Sequence, residues 1–232
     1  MAIEIEKINF DKKFLDYLFP QRTRLLTEYS LTKDSEDKIV QSSVTTLMKK
    51  DFDMVKNFLP EKVSNILDVG CGLALIDIGF YYYYDKNISL HLLDKNSEAT
   101  KESVSGFRKE YFFYNSMEST KQTLLDNDVS EKHINLYEVG VNHDKLYNKK
   151  FDLIISLLSC GWHYHVETYL DLFLKSLNDD GIIIIDIRHD TGQLEFMLQH
   201  FQLVEKIINN CESKHTGGTV GDRYVFRKIT TK

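Results

Sequence analysis

Two acidic residues flank a glycine-rich turn in the stretch between residues 65 and 96. Asp68 stands just before the turn, Gly70 and Gly72 form it, and Asp94 closes the next apolar run. Glycine lets the backbone turn sharply and lets a ligand approach without a Cβ in the way. Carboxylates accept hydrogen bonds from hydroxyl groups and balance positive charge. These residue types and their order therefore predict a binding site at the turn.

Short apolar runs alternate with helical patterns around this site. The predicted strands read NILDVG, ISLHLLD, INLYEVG, FDLIISLL, IIIIDI, LVEKIIN and RYVFRK. Helices between them read LALIDIGFYYYY, SMESTKQTLLDNDV (with Asn115 or Ser116 as cap), VETYLDLFLKSLNDDG ending at Gly181, and QLEFMLQHF. This alternation predicts an α/β, doubly wound, mostly parallel seven-stranded sheet of the Rossmann-like kind. The last two strands have no helix between them and should form an antiparallel terminal hairpin.

The first 60 residues differ from the rest of the chain in the spacing of their apolar residues. FDKKFLDYLF and EDKIVQSSVTTLMKKDFDMVKNFL repeat apolar residues at helical spacing, and Pro60 marks a break. We therefore predict an N-terminal helical lid over residues 1–60 and a single sheet-containing domain over residues 61–232.

Composition excludes several classes of function. The net charge of −6 makes nucleic acid an unlikely partner by charge alone, because phosphate contacts require a basic field. No apolar run is long enough to span a bilayer, and the start has no signal-like core, so we expect a cytoplasmic protein without a membrane partner. The three cysteines show no zinc spacing, and we predict no metal. A homodimer is compatible with the sequence.

The turn favours a nucleoside with a cationic tail over a dinucleotide. A dinucleotide-binding G-x-G-x-x-G pattern that starts at Gly70 needs a glycine where Leu75 stands. Asp68 would also repel a pyrophosphate. Asp94 at the end of the second strand is placed to hold a ribose diol. S-adenosyl-L-methionine combines such a ribose with a sulfonium and an ammonium group.

LDVGCG followed by LHLLDKN resembles the class I S-adenosylmethionine-dependent methyltransferases, and the resemblance covers about residues 63–227. Ala74 replaces the third glycine of the family's turn. The resemblance implies that the turn holds the methionine tail and that Asp94 holds the ribose. It also implies that Asn142, beside Val141 and His143, contacts adenine and that Leu157 lies under the sulfonium. The cofactor-binding residues are then Asp68, Gly70, Cys71, Gly72, Asp94, Lys95, Asn142 and Leu157.

The acceptor side should be SLLSCGWHYHVETY, which follows the fourth strand. An oxygen acceptor loses a proton as the methyl group arrives, and His163 or His165 could take it. Histidines at the start of a helix also cap or pack, and that alternative remains open. Trp162 and Tyr164 are candidates for acceptor contact. Cys160 reads as a small buried residue rather than a nucleophile.

Arginines supply a second group of acceptor candidates. Arg188 follows the fifth strand, near Asp186 and His189, and could bind an anionic acceptor or pair with Asp186 or with an acid of the N-terminal helices. Arg22, with Arg24 nearby, belongs to the predicted lid.

The sequence therefore predicts methylation of a small molecule with release of S-adenosyl-L-homocysteine. Oxygen is the favoured acceptor atom, in a sugar, a phosphorylated metabolite or a natural product. The alternatives are a methyltransferase of RNA or protein and a non-catalytic scaffold that binds S-adenosylmethionine.

Overall fold

The structure is a computed structural model that describes residues 5–15, 24–96, 115–207 and 221–229. The α-helices whose bounds the structure describes before the sheet include a short one and a long one. They are α1 (Arg24–Glu28) and α2 (Asp37–Val55). The long helix α2 carries the apolar pattern seen in the sequence and buries Val40, Val44, Met48 and Phe52. The predicted helix over FDKKFLDYLF lies partly outside the described residues.

The first half of the sheet is parallel and contains the glycine turn. Its elements are β1 (Asn65–Val69), α3 (Leu75–Tyr83), β2 (Ser89–Asp94), α4 (Met117–Leu125) and β3 (Ile134–Glu138). Strand β1 pairs with β2, and β2 pairs with β3, so that Asp94 is level with Glu138. Both strands β1 and β2 therefore end at the same edge, as predicted. Ser116 caps α4, since its Oγ accepts the N–H of Ser119 at 3.1 Å.

The second half completes a seven-stranded sheet with the order β3-β2-β1-β4-β6-β8-β7. The elements of this half are β4 (Phe151–Ser156), α5 (Glu167–Ser176), β6 (Leu177–Arg188), α6 (Gln193–Leu198), β7 (Phe201–Ile207) and β8 (Gly221–Lys228). The short strand β5 (Ser159–Tyr164) lies between β4 and α5 in the chain and is not one of the seven strands of the sheet. Strand β8 runs antiparallel to both β6 and β7. The predicted doubly wound sheet with an antiparallel terminal hairpin is confirmed.

One predicted helix boundary is wrong. The helix over VETYLDLFLKSLNDDG was expected to end at Gly181, but α5 ends at Ser176 and β6 begins at Leu177. Leu177 is buried and pairs with Phe151 at the start of β4. Burial of this leucine in the sheet outweighs the helical periodicity that continues in the sequence.

Helix α2 packs closely on α3, the helix that follows the glycine turn. A Cβ placed on Gly79 of α3 would stand 3.1 Å from Sδ of Met48 and 3.1 Å from the ring of Phe52. The small residue lets the two helices approach. The N-terminal helices share one apolar core with one face of the sheet, which holds α1 and α2 beside the turn.

Candidate cofactor site at the glycine turn

Three residues of the turn after β1 occupy the left-handed region of the backbone. Gly70, Gly72 and Ala74 have φ values of +78°, +52° and +55°. Glycine takes such angles freely, whereas another residue there is strained by about 1–2 kcal/mol. Ala74 thus adopts, at a cost, the backbone conformation that the third glycine of the predicted pattern would take without strain.

The two glycines differ in what lies over them. A Cβ on Gly70 would stand 1.8 Å from Oγ of Ser159, so the chain itself fills that space. A Cβ on Gly72 would have no heavy atom of the described residues within 4 Å. The backbone at Gly72 is therefore open to a ligand, and a side chain there would fill the opening.

Asp94 fixes this open part of the turn. Its Oδ2 accepts the N–H of Gly72 at 2.8 Å, and its Oδ1 accepts the N–H of Lys95 at 2.7 Å. Burial raises the pKa of Asp94 to about 6, although the two backbone hydrogen bonds and Asn115 oppose the rise. Each carboxylate oxygen keeps a further lone pair that can accept a hydroxyl group.

Helix α4 holds the other side of Gly72, which the sequence did not reveal. The carbonyl oxygen of Gly72 accepts Nδ2 of Asn115 at 3.0 Å and Oγ1 of Thr120 at 2.6 Å. Asn115 was identified only as a candidate helix cap. Asn115 just before α4 and Thr120 within it are both buried, but a polar residue in the sequence does not show which group it will bond.

Three buried carboxyl groups surround the turn. Asp68, Asp77 and Asp94 are all buried, and Asp77 was not singled out from the sequence. Burial raises the pKa of Asp68 well above its usual range, and the nearby carboxylates of Asp77 and Asp94 raise it further. Burial, with the same three acids, also raises the pKa of the Cys71 thiol. Sγ of Cys71 lies 4.0 Å from Oδ2 of Asp94. The electrostatics of this group favour a cation.

A cavity of about 220 Å³ opens beside the turn. Asp68, Gly70, Cys71 and Leu157, all predicted cofactor residues, line it. The remaining lining residues are Leu25 of α1, Leu47 and Asp51 of α2, and Leu73, Leu75, Ile76 and Leu158. The N-terminal helices thus contribute one wall of the cavity.

The segment after β4 turns sharply at this wall. Leu158 has a φ of +52°, a strained angle for a leucine, and its N–H donates to Oδ2 of Asp186 at 3.2 Å. Oγ of Ser156 donates to the carbonyl of Val69 at 2.7 Å and accepts the N–H of Cys160 at 3.0 Å. Ser156 therefore ties this turn to the end of β1. Cys160 is fully buried, in agreement with its expected packing role.

The predicted acceptor residues of β5 do not line the cavity. Trp162 is buried, and a Cβ on Gly221 would stand 2.2 Å from its ring. Tyr164 is buried too, but its hydroxyl lies 3.0 Å from Oγ of Ser159, directly beside Gly70. His163 and His165 are half-buried. Nδ1 of His165 lies 3.3 Å from Nε2 of Gln193 and 4.0 Å from Glu167.

The predicted arginine contacts differ from those in the structure. The suggested pairing of Arg188 with Asp186 is wrong, because Asp186 pairs with the fully buried Arg223 of β8 at 2.7 and 3.1 Å. Arg223 also lies 3.4 Å from Asp51 of α2. Arg188 ends β6 and does not line the cavity. Arg22 lies outside the described residues.

The predicted adenine residues follow β3, next to the end of β2. Oδ1 of Asn142 accepts the N–H of Glu138 at 2.7 Å, and Nδ1 of His143 accepts the N–H of Gly140 at 3.0 Å. Val141 is 70% exposed. The N–H of Val139 donates to the carbonyl of Asp94 at 3.0 Å, which joins this loop to the predicted ribose residue.

Two kinds of feature are not found in the described part of the chain. None of its groups of His, Cys, Asp and Glu side chains could hold a metal ion. None of its helices combines the length and the apolar character that crossing a membrane requires.

Solved structures share this fold at low sequence identity. The O-MT segment of StiE, residues 961–1257, aligns with a TM-score of 0.53 and 12% identity over 90% of this chain and 82% of that chain. A putative transferase, PH0793 from Pyrococcus horikoshii, aligns with a TM-score of 0.52 and 12% identity over 79% of this chain and 64% of that chain. An O-methyltransferase family protein from Burkholderia thailandensis aligns with a TM-score of 0.49 and 9% identity over 95% of this chain and 71% of that chain.

The two structures with TM-scores above 0.5 show the fold, and the predicted Rossmann-like fold is confirmed. No family model matches the sequence, and none of the curated proteins matches it.

Proposed function

We propose that this chain is a class I S-adenosylmethionine-dependent methyltransferase that acts on a small molecule. The observation that carries the proposal is the open backbone at Gly72 beside a buried strand-end carboxylate, Asp94. Gly140 and Gly192 are also uncovered, and what distinguishes Gly72 is that its N–H donates to the buried carboxylate of Asp94. An uncovered glycine bonded to a buried acid suits a ligand with hydroxyl groups.

The residues of the site fit S-adenosylmethionine. Asp94 would accept the ribose hydroxyls through its remaining lone pairs, and Gly72 would let the ligand lie on the backbone. Asp68 faces the cavity, where its carboxyl group would meet the cationic tail. When bound, the cofactor supplies a methyl group activated on a sulfonium. Asn142, Lys95 and Leu157 remain proposed contacts.

The cavity favours a small acceptor that carries no phosphate. Its lining is mostly leucine and isoleucine, its two acids are Asp51 and Asp68, and no basic side chain of the described residues lines it. The described cavity lining therefore offers an anionic acceptor no basic side chain to balance its charge. Among the acceptors that the sequence left open, a largely apolar natural product fits better than a phosphorylated metabolite.

A polymer acceptor is the second candidate, and the cover over the turn disfavours it. Leu25 of α1 and Leu47 of α2 both line the cavity, so that an RNA or protein chain would have to displace the N-terminal helices. The net charge of −6 also opposes RNA.

Calorimetric titration of the full chain with S-adenosylmethionine tests the proposal. We expect binding, and we expect Asp94→Ala to weaken it by at least tenfold, because two charge-assisted hydrogen bonds are worth about 2–4 kcal/mol. Asp180→Asn removes an exposed acid far from the turn and should bind like the parent. Absence of binding, or equal affinity in Asp94→Ala, would refute the cofactor assignment.

A screen of acceptors for release of S-adenosylhomocysteine then tests catalysis. Turnover with a small hydroxylated compound, and none with RNA or protein, is the expected result. Cofactor binding without turnover on any class of acceptor would favour the scaffold alternative.

A further inference from the structure

Asp77 is a buried acid without a conventional hydrogen-bond donor. It lies in the first turn of α3 and is fully buried, and neither of its oxygens has a partner among the described residues. The polar groups that bear on its charge are the carboxyl group of Asp68 and its own backbone N–H. Two carboxyl groups in contact can hydrogen-bond only when one of them carries a proton.

The surroundings of this pair contain acids and a thiol. Strand β2 contributes Asp94, the turn contributes Cys71, and both interact electrostatically with Asp68. Helix α2 packs on α3 through Met48 and Phe52, and its acid on the same cavity is Asp51, already paired with Arg223. Helix α4 presents the neutral Thr120, and the neutral Asn115 precedes that helix. No basic side chain of the described residues compensates the pair.

Packing alone gives no reason for a carboxyl group at this position. The neighbours Ile76 and Ile78 on α3 are buried apolar residues, and an apolar side chain at position 77 would pack without a desolvation cost. Burial disfavours the ionised form of both acids, and a proton shared between them would remove the repulsion of two adjacent carboxylates. A buried, proton-holding pair next to an open cavity responds to any positive charge that enters the cavity.

We propose that Asp68 and Asp77 share one proton that a cationic ligand displaces, so that the pair discriminates S-adenosylmethionine from S-adenosylhomocysteine. The inference rests on the proposed function. Entry of the sulfonium releases the shared proton to solvent and leaves both carboxylates ionised against the positive charge. Methyl transfer turns the sulfonium into a neutral thioether, and the pair regains one proton from solvent. The product keeps its ammonium group but carries one positive charge fewer than the substrate, so that the pair holds it less tightly.

Calorimetry in two buffers of different ionisation enthalpy counts the protons exchanged on binding. Near pH 7, where Asp94 with a pKa of about 6 is mostly ionised, the parent chain should release up to one proton per S-adenosylmethionine bound and clearly less per S-adenosylhomocysteine. Affinity for S-adenosylmethionine should fall by up to tenfold for each pH unit of acidification in the range where the pair titrates.

Asp77→Asn keeps the shape of the side chain and removes the shared proton. Its amide can donate to Asp68, so that we expect proton release near zero, affinity that is nearly independent of pH, and a smaller preference for substrate over product. Asp85→Asn, the same change at an exposed site after α3, should behave like the parent. Asp77→Ser serves in the same assays if the asparagine variant does not fold.

The outcomes separate this inference from the proposed function. Equal proton release by the parent and Asp77→Asn, or equal release for the two ligands, overturns the inference while cofactor binding stands. Absence of S-adenosylmethionine binding by the parent at every pH overturns the proposed function, and the inference falls with it.

Discussion

At the scale of single residues, Gly70 and Gly72 should respond differently to the same substitution. Gly70→Ala places a methyl group on Oγ of Ser159, so we expect it to destabilise the unliganded protein by about 2 kcal/mol or more. Gly72→Ala meets open space and should cost only the strain of its left-handed backbone, about 1 kcal/mol, while cofactor affinity falls at least tenfold. Denaturant unfolding and calorimetry measure the two effects.

Ser159→Ala is the matched control for Gly70. It removes the hydroxyl but leaves Cβ of residue 159, which stands 2.4 Å from the new methyl group, so Gly70→Ala should be only partly relieved in the Ser159→Ala background. Normal cofactor affinity in Gly72→Ala would mean that the ligand does not approach the backbone at this turn.

Ala74 offers a stabilising substitution. It is held at a φ of +55°, where glycine is free of strain. Ala74→Gly should raise the free energy of unfolding by about 0.5–1 kcal/mol, since relief of strain exceeds the entropic cost of glycine. The expected readout is a higher denaturation midpoint with unchanged cofactor affinity. A lower midpoint would contradict the left-handed assignment at this residue.

His163 remains the sequence-based candidate for the base that takes the acceptor's proton. If it acts so, His163→Ala should lower kcat by about 10²- to 10⁴-fold and leave cofactor affinity unchanged. The parent's rate should fall in acid solution, because a protonated imidazole cannot accept a proton. His165→Ala is the comparison variant, as His165 lies beside Gln193 and Glu167. Full activity of the double variant would eliminate both residues.

At the scale of elements, one buried arginine links the N-terminal helix to the sheet. Arg223 of β8 holds Asp186 of β6 and contacts Asp51 of α2, and Asp186 in turn accepts the N–H of Leu158. Arg223→Met should destabilise the protein by about 3–5 kcal/mol, because it leaves a buried carboxylate without its counter-charge. Loss of the link to α2 should also weaken cofactor binding.

The double variant Arg223→Met with Asp186→Leu tests why Arg223→Met destabilises the protein. It removes both buried charges, so that most of the lost stability should return, as measured by denaturant unfolding. A double variant as unstable as Arg223→Met alone would show that packing of the arginine, and not the unpaired charge, is responsible.

The order of the elements could be predicted, whereas the partners of their buried polar side chains could not. Strand and helix periods specify the sheet, and the strand ends bring Asp94 to the glycine turn. The pairing of Asp186 with Arg223 joins residues 37 positions apart in sequence. In the sequence, the nearby Arg188 was the more obvious partner for Asp186. Asp77 was overlooked because an acid in the first turn of a helix is ordinary for the helix dipole.

At the scale of the whole molecule, stability should depend on pH through a few buried groups. The folded pKa values of Asp68, Asp77 and Asp94 are raised by burial, so the folded state binds protons more tightly than the unfolded state. Their contribution to stability is therefore lost as pH rises from about 4 through their folded pKa values. Burial lowers the pKa of His91 to about 4, and its contribution has the opposite sign, being lost as pH falls below about 6.5.

The acids outnumber the histidine, so that the unliganded protein should become less stable as pH rises from 5 to 8. Each group contributes about 1.4 kcal/mol for every unit by which its pKa differs between the folded and unfolded states. Asp77→Asn should flatten the decline, and His91→Gln should steepen it between pH 5 and 6.5, because it removes the opposing group. Urea unfolding at pH 5, 6, 7 and 8 measures the profile. Stability that rises steadily over this range would show that the three carboxyl groups are ionised and compensated in the unliganded fold. The proton-sharing pair would then have no basis, since no cation would be needed to displace its proton.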